Sequence, residues 1–209
     1  MFEIEKGLEP DITLVCKLTK DGKIKFINQA FTDVTGFTEK DLVNESHEII
    51  QHPKMPKTIL KMAWDSINEG KHTYLISKNI TKTGEYFWTI ADIHTKDSDQ
   101  YSSAIFIRRK FLPSNIKQEF EKLYEVLYGI ENSGGGEAIA QKYLNGWLED
   151  RNADYNNYII NAFGGEKNLK EYLTTEVSDG ELFSTDPTDM NIDDILKFVK
   201  QKKKRKFWL

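Results

Sequence analysis

Cysteine is nearly missing from this chain of 209 residues: Cys16 is the only one, and it stands in the apolar run ITLVCKL. A lone thiol excludes an internal disulfide, and its apolar setting reads as a buried structural group in a reducing compartment rather than a nucleophile. Long hydrophobic runs are missing as well. No stretch of about 18 apolar residues occurs, and the opening MFEIEKGLEPD is acidic without an apolar centre, so neither a membrane span nor a signal peptide is expected. The reading is a cytoplasmic protein. The glycine run SGGGEA is not followed by Gly-Lys-Ser/Thr, which excludes a phosphate loop and leaves a flexible joint. No motif assembles a nucleophile with a base or a pair of acids, so the chain is not read as an enzyme.

Histidine is scarce too. The chain has 4, and two of them lie in HEIIQHPKMPKTILKMAW, over 47–64, beside two of the 5 prolines. His47 and His52 stand five apart, which on a helix turns them about 140° from each other, and no carboxylate completes an H-E-x-x-H register. No metal site is expected. Pro53 and Pro56 push His52 and Met55 out of the α region, so the segment reads as a short helix, a stiffened extended link and a new helix.

What the chain does contain is enough apolar material, 39%, for one well-packed domain with an appendage. Residues 1–112 carry 16 basic and 16 acidic side chains, so the net charge of −4 belongs to the remainder. The first part therefore has no electrostatic footprint for nucleic acid. Within the remainder, 176–194 holds seven acids and no base, whereas 197–206 holds seven bases and no acid. That tail is read as a solvated charged end. Its alternative role follows from five consecutive bases running into Phe207, Trp208 and Leu209, a pairing that gives weak contact with an anionic membrane surface.

Patterning gives the organisation. DITLVCKLTKDGKIKFIN holds two β-rich runs around the Asp21-Gly22 turn. Two short helical pieces follow, with Asn28 and Thr38 as N-caps and Gly36 as a stop. PKTILKMAWDSINEG is a helix with Ile59, Met62, Ala63 and Ile67 along one stripe. HTYLISKNITKTGEYFWTIADIHTK and YSSAIFIRRKF read as three strands, turning at Thr83-Gly84 and Ser98-Asp99. Phe87, Ala91 and Ile93 fall on one face of the sheet, and Tyr86, Trp88 and Ile90 on the other. Because both faces are apolar, either a second subunit, making a homodimer, or the chain's own helices must cover the second. A helix with Ser114 as its cap buries Phe120, Leu123, Tyr124, Leu127 and Ile130, and further helices are expected over 137–150, 153–163 and 166–174.

The ordered elements INQAFTDVTGF, DL, the two histidines, HP-x-MP, Trp64, GK, KN and KTGEYFW resemble a PAS domain of the aerotaxis-receptor type over roughly Asp11 to Phe111. The resemblance implies an α+β PAS fold, a five-stranded antiparallel sheet with short helices, followed by an all-helical extension. Its division is 11–112 for the sensory domain, 113–175 for the helical region, and 176–209 for an acidic linker and basic tail. It further implies non-covalent FAD, with Asn28, His47, His52, Trp64 and Asn79 as cofactor-binding residues, and signalling by contact to a separate membrane-associated transducer of the methyl-accepting type. Three positions depart from that pattern. Gln51 stands where the family has arginine, Thr73 where it has tryptophan, and Leu75 where it has glycine. From the residues themselves, Asn28 also reads as a cap, Asn79 as a turn former, His47 and His52 as loop histidines, and Trp64 as core packing. Haem ligated by one histidine, and a cofactor-free dimerisation or scaffold module, are the alternatives.

Overall fold

Two β-rich runs joined by a glycine turn begin the sheet. β1 (Thr13–Leu18) and β2 (Ile24–Ile27) pair antiparallel across a turn in which Gly22 takes φ 79°, a left-handed value open to glycine without a Cβ penalty. This computed structural model describes residues 4–7, 12–96 and 104–174. The turn expected at Ser98-Asp99 and the acidic linker and basic tail over 176–209 lie outside them.

β3 (Thr73–Ile80), β4 (Tyr86–Lys96) and β5 (Ala104–Phe111) complete a five-stranded antiparallel sheet in the order β2-β1-β5-β4-β3. Register sets the faces. Pairing Leu75 with Ala91, Ser77 with Thr89, Asn79 with Phe87 and Ile93 with Ile107 puts these side chains on one face, and period-2 alternation sends Tyr74, Ile76, Trp88 and Ile90 to the other.

Between β2 and β3 run α1 (Gln29–Thr35), α2 (Glu39–Leu42), a 3-10 turn (His47–Ile50) and α3 (Lys57–Asn68). Asn28 caps α1 by accepting from Phe31 N at 3.1 Å, and Gly36 ends it at φ 72°. On α3, Ile59, Ala63 and Ile67 are buried and Met62 is partly so. Proline at the N-cap of α3 offers no side-chain acceptor, and the need is met from far along the chain. Glu131 accepts from Lys57 N at 2.9 Å and Thr58 N at 2.8 Å.

Glu131 lies on α4 (Ser114–Asn132), which is followed by α5 (Gly136–Glu149), α6 (Tyr155–Ala162) and α7 (Glu166–Leu173). The N-cap of α4 is Pro113 rather than the expected Ser114, which is the first helical residue and makes no capping bond. Proline's fixed φ suits the entry to a helix without that bond. Among the two expected covers for the sheet's second face, the chain's own helices are found there. Trp88 packs on Tyr124 at 5.6 Å between ring centroids, and Tyr124 Oη donates to Ile76 O at 2.6 Å while sharing a 2.5 Å bond with Tyr155 Oη. Phe120, Leu123 and Leu127 are buried with them, each worth about 1.5–3 kcal/mol by apolar burial. Among the described residues, no helix is long and apolar enough to cross a membrane.

β3 is an edge strand, and its open side is covered. Gln51 bridges Asn79, His52 N donates to Lys78 O at 3.1 Å, and at the far end Asn156 of α6 accepts from Tyr74 N at 2.9 Å.

Candidate functional site

Between α3 and the inner face of the sheet lies a cleft of about 290 Å³, at the small end of ligand sites, which run roughly 300–1,000 Å³. Leu75, Ile93, Ile107, Leu60, Ala63 and Trp64 make it largely apolar, and His47, Gln51, Ser77, Asn79 and Arg109 supply polar groups. Trp64 is half-buried and lies against the hairpin turn, so close that a Cβ at Gly22 would sit 3.0 Å from Trp64 Cη2. The turn therefore requires glycine twice over, for its φ and for the indole.

Arg109 dominates the electrostatics. It pairs with Ala91 and Leu14 on its neighbouring strands and is 1% exposed, a guanidinium on the core face of a sheet. Its Nη2 meets His47 Nε2 at 2.6 Å, its Nη1 meets Cys16 Sγ at 3.2 Å, and its Nε has no partner. No carboxylate pairs with it among the described residues. An arginine has no acceptor, so the short contact makes His47 Nε2 the acceptor and the ring neutral. Burial, and then the Arg109 charge, hold the imidazole well below its ordinary value of 6.5. Burial likewise pushes the Cys16 thiol up despite Arg109 beside it, so Cys16 is a weak neutral acceptor and not a thiolate.

Three of the five sequence-predicted residues are brought together here: His47, Trp64 and Asn79 line the cleft. His47 is fixed by its backbone N, which donates to Gly22 O at 2.9 Å. Asn79 is buried and its Nδ2 donates to Thr89 Oγ1 at 3.0 Å and Ser77 Oγ at 3.2 Å. Asn28 and His52 lie elsewhere. Asn28 joins α1 to β1, accepting from Val15 N at 3.0 Å and donating to Thr13 O at 3.0 Å. His52 is buried against Tyr86, with Nδ1 accepting from Lys54 N at 3.0 Å. The departures from the family pattern also find places. Gln51 and Leu75 line the cleft, while Thr73 is buried with its hydroxyl 3.2 Å from Asn156 Oδ1.

Arg109 was not among the predicted residues. The signal was present as period-2 alternation in AIFIRRKF, which puts Arg109 on the same face as Ile105 and Ile107.

Comparison with known proteins places this geometry. Residues 24–105 match the family described as PAS fold, and the sheet with its helices is a PAS fold carrying a helical C-terminal part. The chain is 28% identical over 145 residues, 68% of its length, to the aerotaxis receptor of Escherichia coli (strain K12). It is 29% identical over 82 residues, 39% of its length, to the bacterioopsin transcriptional activator of Halobacterium salinarum. It spans 28% and 12% of those relatives' own lengths. Among solved structures it is similar to the blue-light photoreceptor Aureochrome1 LOV in the dark, at 14% identity over 54% of this chain and 85% of that one, with a TM-score of 0.47. Drosophila melanogaster Cycle PAS-B with bound glycerol is similar at 16% identity over 47% and 99%, with a TM-score of 0.43.

Proposed function

We propose that this chain is a sensory module whose inner-face cleft binds FAD non-covalently, and that its helical part reports the state of that site by contact to a separate membrane-associated chemotaxis transducer. The division into a sensory domain over 11–112 and a helical region over 113–175, and the cytoplasmic setting, belong to the same proposal. The observation that carries it is Arg109. Among the described residues this buried guanidinium has no carboxylate partner, only the neutral acceptors His47 and Cys16, and its Nε has none, so a ligand with electron-rich acceptors in the cleft would offset its cost.

The residues fit the ring of a flavin better than the whole molecule. The cleft is large enough for a planar aromatic system, which Trp64, Ser77, Asn79 and Arg109 would hold, while Lys20 and Gln51, also in the lining, would be available to the polar parts of a dinucleotide. FAD, when bound, supplies redox chemistry and a ring whose charge differs between oxidation states. Arg109 would stabilise added negative charge in the cleft, and it supplies there a positive charge that Gln51, standing where the resembled family has arginine, does not. His47, neutral and bonded to Arg109, keeps the guanidinium oriented, and Ser77 and Asn79 offer hydrogen bonds to ring heteroatoms. The haem alternative draws no support from the cleft, because His47 spends Nε2 on Arg109 and His52 is outside the lining.

A physical connection leads outward from this site. Trp64 is carried on α3, and the first turn of α3 is held by Glu131 of α4. A ligand state that shifts α3 is therefore felt by the helical part without passing through the sheet. The visible spectrum of the purified protein, with flavin-to-protein ratio for Trp64→Ala and Arg109→Met beside circular dichroism, tests the reading. Flavin in the unaltered chain and its loss from both folded variants supports it. A colourless protein that takes up no added FAD sinks it and leaves the scaffold module.

A further inference from the structure

The other two histidines of the chain lie on the opposite face of the sheet and come together. His72 just precedes β3 and His94 lies on β4, and because Thr73 pairs with Ile93 the two stand directly across from each other. Their rings stack at 4.3 Å between centroids, 18° from parallel. Both aim the same nitrogen at the same atom: His72 Nε2 is 2.6 Å and His94 Nε2 2.9 Å from Asp92 Oδ1. The ligand atoms of all three residues lie within 4.8 Å of one another.

We propose that His72, Asp92 and His94 form a binding site for a divalent transition-metal ion such as Zn²⁺. Two imidazoles and one carboxylate are a nitrogen-rich set, suited to the borderline d-block ions and poorly suited to Mg²⁺ or Ca²⁺, which take oxygen ligands. The scaffold is rigid where it matters, since Asp92 and His94 sit on β4, His72 immediately precedes its partner strand β3, and Asn156 of α6 fixes the entry to β3, accepting from Tyr74 N at 2.9 Å and from Thr73 Oγ1 at 3.2 Å. Ligands around a tetrahedral ion at about 2.0–2.1 Å stand roughly 3.3 Å apart, so the contacts must open by about half an ångström. The side chains have that freedom, with His72 40% and His94 56% exposed, while Asp92, the anchor, is 14% exposed. Each ring donates from Nε2 to the carboxylate. On metal binding the Nε2 proton is released to solvent, the Nε2 lone pair goes to the metal, and each bound ring carries its single N–H at Nδ1.

This site is independent of the flavin reading, being on the outer face and sharing no residue with the cleft. Loaded, it would tie the edge strand β3 to β4 beside α6, giving the module a second input. The test uses the full chain, free of any affinity tag and stripped with chelator, titrated with Zn²⁺ against a chromophoric competitor and with Co²⁺ by its visible absorption. One equivalent is expected, raising the melting temperature, with binding weakened by more than about 10-fold in Asp92→Asn and in His72→Gln/His94→Gln, and unchanged in Asp33→Asn on α1. Absence of stoichiometric binding, or equal binding by the double variant, overturns the proposal. Should that variant not fold, the histidine ring resonances of the unaltered chain decide. Zn²⁺-dependent shifts confined to His72 and His94 support the site, and shifts elsewhere or none at all overturn it.

Discussion

Arg109 and His47, 62 residues apart in sequence, meet at 2.6 Å between a strand of the sheet and a single 3-10 turn. The pair fixes a protonation state. Because His47 in the folded protein is held well below 6.5 while the unfolded chain titrates near its ordinary value, the unfolded state binds the extra proton first on acidification. Stability from this source is full above about 6.5 and is lost as pH falls below that toward the folded value. We expect the melting temperature to drop between about pH 7 and 5.5, and to drop less in His47→Gln. An identical pH profile in that variant would contradict the assignment.

Arg109→Met removes the buried charge and keeps much of the side-chain volume. The fold should be retained at equal or higher stability, since replacing a buried charge that has no opposite charge beside it among the described residues with an apolar group is neutral or stabilising. His47 should titrate closer to its ordinary value, by NMR, while remaining depressed by burial, which is the larger of the two causes. A large loss of stability would mean that the guanidinium is structural and not held ready for a ligand.

Glu131→Ala leaves two N–H groups at the start of α3 without their acceptor, one of them on buried Thr58. The expected cost is about 1–2 kcal/mol in urea unfolding. Hydrogen exchange at Lys57 and Thr58 should accelerate beyond the global change, and Glu131→Gln should fall between the two.

Gly22→Ala combines a φ of 79° with a Cβ 3.0 Å from the Trp64 indole. Destabilisation of about 1–3 kcal/mol and a shift in tryptophan fluorescence are expected. Combined with Trp64→Ala the cost should be less than additive, because the strained φ remains but the clash is gone.

Deleting residues 114–209 uncovers Tyr74, Ile76, Trp88 and Ile90, all buried in the full chain, and strips Asn156 from the β3 edge. The fragment should aggregate. A 1–113 fragment eluting as a stable monomer would show that α4–α7 are dispensable for the sheet.

Much of this was readable from local pattern. Alternation located both faces of β4, the double apolar character of Phe87 and Trp88 announced a covered outer face, and Asn28 and Gly36 marked the ends of α1. Three of the five residues the resemblance implied line one cleft, because the order of motifs fixes which loop lies over the sheet. What stayed hidden depended on distant partners. The role of Glu131 exists only once α4 folds back on α3, 73 residues from Thr58. His72 and His94 look unrelated along the chain, being 22 apart, until antiparallel register sets them opposite each other. Arg109 escapes such a reading because a run of three cations reads as a solvated strand end, although its alternation with Ile107 puts it inside.

The clamp of Glu131 on α3 carries an obligation in both directions. If a ligand in the cleft changes, through that contact, the affinity of α4 for a partner, then that partner must change the affinity of the cleft by the same factor. Under the proposed function, the affinity of the cleft measured on the isolated chain is then not the affinity that applies with a partner bound.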